Sequence, residues 1–141
     1  MTFPAPVPGL VIRYSFLWSR EARTGATEGA RPCAIVVAIP KDEHGDTRVV
    51  VVPVTRSAPL DPTTSLQLPS AVKTALGLDP DSSWVCLDEL NVFSWPGYDL
   101  RAILGTDRID YGHLPKPLFE AIRRGVLDLN RARRTKQIVR D

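Results

Sequence analysis

The apolar residues of the chain fall into short runs that polar segments and prolines separate. These runs are rich in β-branched and aromatic residues, which favour strands, and three of them precede residue 56. Strands are predicted at residues 11–18, 33–39, 48–55, 65–68, 84–90 and 101–104. Residues 19–30, between the first two strands, are polar, charged and too long for a hairpin turn, and they predict a mobile loop.

Two segments have helical spacing. Residues 69–78 begin with a proline in the first turn and have Gly77 near the end, which indicates one short helix. From Leu118 onward, apolar residues recur every three or four positions, at Phe119, Ile122, Val126 and Leu129. The order predicts a mostly β fold of antiparallel strands with one short inserted helix and a C-terminal helix. Residues 131–141 follow as a basic tail.

Length and composition limit the class of protein. A chain of 141 residues with 43% apolar residues suffices for one domain with one core. Its apolar runs are far shorter than the ~18–20 residues that cross a bilayer. Nothing at the start resembles an export signal, so a cytoplasmic protein without a membrane is expected. Cys33 and Cys86 lack the spacing of a redox or metal motif and are interpreted as small buried hydrophobes.

The net charge of +2 is nearly neutral, but the charges are unevenly distributed. Residues 123–140 contain six Arg and one Lys against the single Asp128, whereas the middle of the chain is acidic. Such a basic segment suggests a phosphate-rich partner. A solvated outer face of the last helix explains the same arginines equally well, and both interpretations stay open at this point.

Several motifs of metal, cofactor and hydrolase sites are missing. His44 and His113 are far apart and neither belongs to HExxH, and neither GxxxxGK[ST] nor GxGxxG occurs. The serine-hydrolase motif GxSxG is also missing. We therefore predict no metal and no cofactor, and any chemistry falls to arginine, threonine, serine and carboxylate side chains.

Three segments carry a resemblance through their order and spacing. They are Arg31-Pro32 before an apolar strand, a strand that ends in Pro53-Val54-Thr55, and a later strand that leads into Asp88-Glu89. Together they resemble the PemK/MazF family, the toxins of type II toxin–antitoxin systems, over about residues 9–130.

The resemblance implies an SH3-like antiparallel β-barrel, with the chain (1–141) as a single toxin domain. It also implies a homodimer whose groove holds single-stranded mRNA, and a cognate antitoxin protein whose extended segment occupies the same groove. The implied activity is sequence-selective cleavage of RNA without a metal. In that reaction the 2′-hydroxyl of the substrate attacks the phosphate and leaves a 2′,3′-cyclic phosphate.

Carried over onto this sequence, the family's motifs assign the catalytic roles to Arg31, Thr55 and Asp88. Arg31 would stabilise the charge of the phosphorane, because a guanidinium is a rigid fork of donors that stays charged. Thr55 would hydrogen-bond the scissile phosphate or the 2′-hydroxyl, and Asp88 would be the base. The expected RNA contacts are Arg20, Arg23, Glu28, Arg56, Ser57, Glu89 and Asn91.

Three features depart from the family pattern, and one of them is the spacing of residues 18–30, the loop that carries Arg20 and Arg23. Ala26 stands where the family often has a glutamate, and Cys86 stands where one branch has an arginine. These departures favour an alternative, a non-catalytic member that binds RNA or an antitoxin peptide, whereas Arg31 and Thr55 favour the enzyme. A gyrase-type poison that acts by binding protein is the third hypothesis. Residues 137–141 lack the aromatic and glycine residues which that group uses.

Overall fold

The computed structural model describes residues 3–25, 27, 29–40 and 45–140, which form eight strands and two α-helices. The strands are β1 (Leu10–Ser15), β2 (Ala30–Pro40), β3 (Thr47–Thr55), β4 (Ser65–Gln67), β5 (Trp84–Cys86), β6 (Glu89–Ser94), β7 (Asp110–His113) and β8 (Lys136–Val139). The helices are α1 (Ser70–Leu76) and α2 (Lys116–Arg131). Neither of these described helices has the length and hydropathy that a membrane crossing requires.

Strand β3 lies at the centre of the sheet. The strands follow the order β4-β5-β3-β2-β1-β7, and β6 also pairs with β3 and carries β8 on its outer side. Along one edge of β3, residues 48–51 pair with β6 and residues 54–55 pair with β5, so the sheet forks there. Among the described residues no pairing joins β4 to β7, and this path is open.

All strand pairs are antiparallel except β6 with β8. The prediction of a mostly β, largely antiparallel fold with one short inserted helix and a later, longer helix is therefore confirmed.

Both faces of the central strands are buried, which explains the run of valines in β3. Val52 and Val54 belong to the apolar cluster that includes the inner side of α2, contributed by Ile122, Val126 and Leu129. Val49 and Val51 belong to a second cluster, which is rich in aromatic rings and includes Tyr14, Phe16 and Phe93. One cluster therefore packs on each face of β3.

The turn that follows helix α2 contains a residue with a strained backbone. After Arg131 the chain turns through Arg133, whose φ of 59° lies in the left-handed region that glycine normally occupies. The N–H of Arg134 donates to the carbonyl of Leu129 at 2.8 Å, so this turn caps the helix. An arginine at this position costs roughly 1–2 kcal/mol of conformational energy.

Four parts of the chain differ from the sequence-based prediction. The single strand expected at residues 84–90 is two strands, because the chain turns at residues 87–88 between β5 and β6. Residues 101–104 form no strand. Strand β7 is not predicted, because Gly112 and three polar or aromatic neighbours give no strand pattern. Residues 131–141, expected as a basic tail, contain β8, which pairs with β6.

We expect Arg133→Gly to raise the free energy of unfolding by about 0.5–1 kcal/mol, because glycine adopts the left-handed conformation without a Cβ clash. Arg131→Gly removes the same charge at a helical position and is the matched control, which should lower that free energy by about 0.5–1 kcal/mol. Urea unfolding of both variants beside the parent measures the two changes. A loss of stability in Arg133→Gly would contradict this assignment of strain.

Candidate functional site

Two adjoining clefts open at one end of the central strands, where β2 begins and β3 ends. The larger has a volume of about 570 Å³ and the smaller a volume of about 210 Å³. Thr55 and Ser57 line both, and we call the two together the joint cleft. Its lining also includes Arg13, Arg31, Arg56, Asp79 and Tyr111 in the larger part and Trp18, Arg20 and Cys86 in the smaller part.

The pairing of β2 with β3 brings Arg31 and Thr55 to this end of the two strands. In the antiparallel register of β2 with β3, Cys33 lies opposite Pro53. Arg31 and Thr55 each lie two residues beyond that pair, at the start of β2 and the end of β3. Both line the larger part of the joint cleft. The pairing of two strands thus unites residues that stand 24 positions apart (55 − 31) in the sequence.

Trp18 contacts two arginines of the joint cleft. The guanidinium carbon of Arg20 lies 4.8 Å from the centroid of the Trp18 ring, and that of Arg31 lies 5.1 Å from it. Each contact has the geometry of a cation–π interaction, worth about 0.5–2 kcal/mol. The indole is buried, with 6% of its residue surface exposed. Trp18 therefore supports the two guanidinium groups from within the protein.

Thr55 forms the turn that follows β3. Its Oγ1 accepts a hydrogen bond of 3.2 Å from the backbone N–H of Ser57, which holds the start of the next loop against the strand end. Arg56, between them, points its guanidinium to the Asp79 carboxylate at 3.2 Å. Both side chains of that pair are largely exposed, so the ion pair contributes at most about 1 kcal/mol. Arg56 remains accessible at the rim.

Arg13 and Tyr111 both line the larger part of the joint cleft, and neither was predicted as a site residue. Arg13 donates from Nη1 to the carbonyl of Ala102 at 2.6 Å, which fixes its side chain. Burial raises the pKa of Tyr111, and the charge of Arg13 opposes that rise, so the phenol is protonated at neutral pH. A lone arginine within the apolar strand β1 was the available signal for Arg13. Tyr111 belongs to the unpredicted strand β7.

Asp88 lies outside the lining of the joint cleft. Its Oδ1 accepts a hydrogen bond of 3.1 Å from the Cys86 thiol, and its carbonyl accepts the N–H of Lys136 at 2.8 Å. Cys86 lines the smaller part, so one side chain separates Asp88 from the cleft. Asp79, paired with Arg56, is the carboxylate among the described lining residues. The expected base is therefore not grouped with Arg31 and Thr55.

The prediction that Glu89 and Asn91 contact RNA requires a correction, because both side chains are buried and form hydrogen bonds within the protein. Glu89 is 8% exposed and accepts two hydrogen bonds from Ser19, at 2.8 Å from its N–H and 2.6 Å from its Oγ. Asn91 is fully buried and bonds both backbone groups of Leu17, at 2.9 and 2.8 Å. Both had been predicted to contact RNA, but their side chains are buried and line neither part of the joint cleft.

The remaining predicted contacts divide between the cleft and its surroundings. Arg20 and Ser57 line the smaller part of the joint cleft, as their expected role requires. Arg23 is exposed and lines neither part. Glu28 and the neighbouring Ala26 lie outside the described residues.

The joint cleft has the chemistry of a site for a phosphate. Guanidinium groups of Arg13, Arg31 and Arg56 line its larger part, and hydroxyl groups of Thr55, Ser57 and Tyr111 supply further hydrogen-bonding groups. Among the described residues, no three histidine, cysteine or acidic side chains are grouped as metal ligands. Comparisons with protein-family models, with curated proteins and with solved structures find no match to this chain.

We expect neither cysteine of the folded protein to react with Ellman's reagent at pH 8. Burial and then the hydrogen bond to Asp88 raise the pKa of Cys86 to about 12, and burial raises the pKa of Cys33 as well. Because the thiolate is the reactive form, both should react only after unfolding in guanidinium chloride. Fast labelling of the folded protein that Cys86→Ser removes would contradict the assignment of Cys86 as a protonated thiol.

Proposed function

We propose that this chain is a sequence-selective, metal-independent endoribonuclease of the PemK/MazF type that binds single-stranded RNA in the joint cleft. As such it would be the toxin of a type II toxin–antitoxin system. The observation that carries the proposal is the meeting of Arg31 and Thr55 in one cleft. Both had been assigned catalytic roles from sequence motifs that lie on separate strands.

The reaction needs few protein groups. The 2′-oxygen of the substrate forms a bond to phosphorus, the bond from phosphorus to the 5′-oxygen breaks, and the products are a 2′,3′-cyclic phosphate and a 5′-hydroxyl. One proton leaves the 2′-hydroxyl and one reaches the departing 5′-oxygen. Between these events the phosphorane carries additional negative charge, which fixed cationic donors stabilise.

The lining of the joint cleft supplies groups for these tasks. Arg31, braced on Trp18, is the donor fork for the phosphorane, and Arg13 adds a second positive charge in the same cleft. The Thr55 hydroxyl orients the phosphate or the 2′-hydroxyl, and the protonated phenol of Tyr111 is a further hydrogen-bond donor. Arg56 and Ser57 at the rim bind neighbouring nucleotides.

We propose Asp88 as the base, provided that it releases its hydrogen bond from Cys86. Its Oδ1 accepts the Cys86 thiol at 3.1 Å, so it must exchange this hydrogen bond for one from the substrate before it takes a proton. The smaller part of the joint cleft, which Cys86 lines, is the route by which a 2′-hydroxyl would approach it.

An SH3-like barrel, a homodimer and an antitoxin partner complete the proposal. The fork of the sheet at β3 supports a strongly curved, barrel-like arrangement. Leu104 is 84% exposed and lines the larger part of the joint cleft. An exposed leucine in a cleft lined by three arginines suits an extended peptide with apolar and acidic residues, and an antitoxin segment is the occupant that we propose.

The second candidate is a non-catalytic relative that binds RNA in the same cleft. It is favoured by the absence of Asp88 from the lining and by Cys86 in place of an arginine. The two candidates differ in one measurement. The purified protein is incubated in EDTA with a long single-stranded RNA, and the new ends are mapped. Discrete cuts with 2′,3′-cyclic phosphate ends support the enzyme, whereas bound but intact RNA supports the second candidate.

We expect Arg31→Ala to lower kcat for RNA cleavage by about 10²–10³-fold, because the phosphorane loses its fixed donor fork. Arg123→Ala removes the same charge from the exposed face of α2, away from the cleft lining, and should cut at the parental rate. Urea unfolding must show that Arg31→Ala is folded. Equal activity of Arg31→Ala and the parent would contradict the proposed site.

A further inference from the structure

We propose that Glu89 and Asn91 are positioning residues, which hold Trp18 and through it Arg31 in the joint cleft. This inference rests on the function proposed above. Both residues lie on β6, two positions apart and so on the same face of the strand, and neither lines the cleft. Their hydrogen bonds run to Leu17 and Ser19, the two neighbours of Trp18.

Asn91 holds Leu17 as a neighbouring strand would. Its Oδ1 accepts the Leu17 N–H at 2.9 Å and its Nδ2 donates to the Leu17 carbonyl at 2.8 Å. The side chain is fully buried, so water cannot replace these bonds without opening the protein. An amide is the side chain that offers both an acceptor and a donor in this geometry.

Glu89 holds the residue on the other side of Trp18. One carboxylate oxygen accepts the Ser19 N–H at 2.8 Å, and the other accepts the Ser19 hydroxyl at 2.6 Å. Such hydrogen bonds to an ionised acceptor are short and strong. The ammonium of Lys136 on β8, 3.8 Å away, offers a positive charge to the same carboxylate.

Arg140 joins the segment after β8 to this network. From Nη1 it donates to the carbonyl of Ser15 at 2.8 Å and to Oδ1 of Asn91 at 3.1 Å. From Nη2 it reaches Asp99 at 3.2 Å. Side chains of β6 and of the residue after β8 therefore fix the backbone from Ser15 to Ser19 at three points.

The consequence for the cleft follows from the position of Trp18. With both neighbours fixed at the backbone, its indole is held under the guanidinium of Arg31 at 5.1 Å. A guanidinium that rests on a fixed ring has fewer directions to adopt, which favours the transition state more than substrate binding. Loosening residues 17–19 should therefore lower kcat more than it raises KM.

The test compares Glu89→Ala with Glu89→Gln. Alanine removes both bonds to Ser19, whereas glutamine can accept the Ser19 N–H and donate to its hydroxyl, so the contacts survive without the charge. For Glu89→Ala we expect kcat for RNA cleavage to fall about 10–100-fold with KM changed less than threefold. For Glu89→Gln we expect kcat to return to within about threefold of the parent.

Amide hydrogen exchange provides a readout that does not depend on activity. In Glu89→Ala the Ser19 amide should exchange faster, while amides of the β2–β3 pairing keep their protection. Ser19→Ala keeps the bond to the Ser19 N–H and loses the hydroxyl bond, and it should show a smaller loss of kcat. It is the variant that decides the question if Glu89→Ala does not fold.

The two failures can be told apart. Cleavage at the parental rate by Glu89→Ala with a freed Ser19 amide, or by Ser19→Ala if the first variant is unfolded, would overturn this inference alone. An unchanged Ser19 amide in a folded Glu89→Ala would overturn it as well. Intact RNA after incubation with the parent protein would overturn the proposed function, and this inference with it.

Discussion

Strand β3 pairs with β2 along one edge and with β6 and then β5 along the other, and both of its faces are buried in apolar clusters. Almost everything else in the fold is placed by these contacts. Helix α2 covers one face, the aromatic cluster around Phe93 covers the other, and the end of β3 is left where the sheet forks. The joint cleft lies at that end, where β5 follows β6 as the partner along one edge of β3.

The candidate site depends on this frame in two ways. The β2–β3 pairing supplies Arg31 and Thr55, which makes one wall of the cleft a continuation of the most buried part of the sheet. The support beneath Arg31 is different in kind, since Trp18 comes from a loop that buried polar groups of β6 hold in place. The paired strands thus bring Arg31 and Thr55 together, and the hydrogen-bonded loop holds the ring on which the Arg31 guanidinium rests.

The sequence was sufficient for the parts whose pattern is local. The valine run identified β3, and the helical spacing from Leu118 identified α2, which begins two residues earlier than predicted. It was insufficient where a partner distant in the chain decides the structure, as for β8 beside β6. Asn91 is an example. A polar residue in a strand predicts an exposed side chain, but the Asn91 amide is buried because it forms hydrogen bonds with the backbone N–H and carbonyl of Leu17.

NMR chemical-shift mapping shows whether single-stranded RNA binds at the end of β3, as we propose. Single-stranded RNA with 2′-O-methyl groups, which lacks the attacking hydroxyl, is titrated into the labelled protein. We expect the amides of Arg31, Thr55 and Ser57 to shift together, and those on the exposed face of α2 to stay unchanged. Shifts confined to Arg123 and Arg124 on α2, with the joint cleft unchanged, would contradict RNA binding at the end of β3.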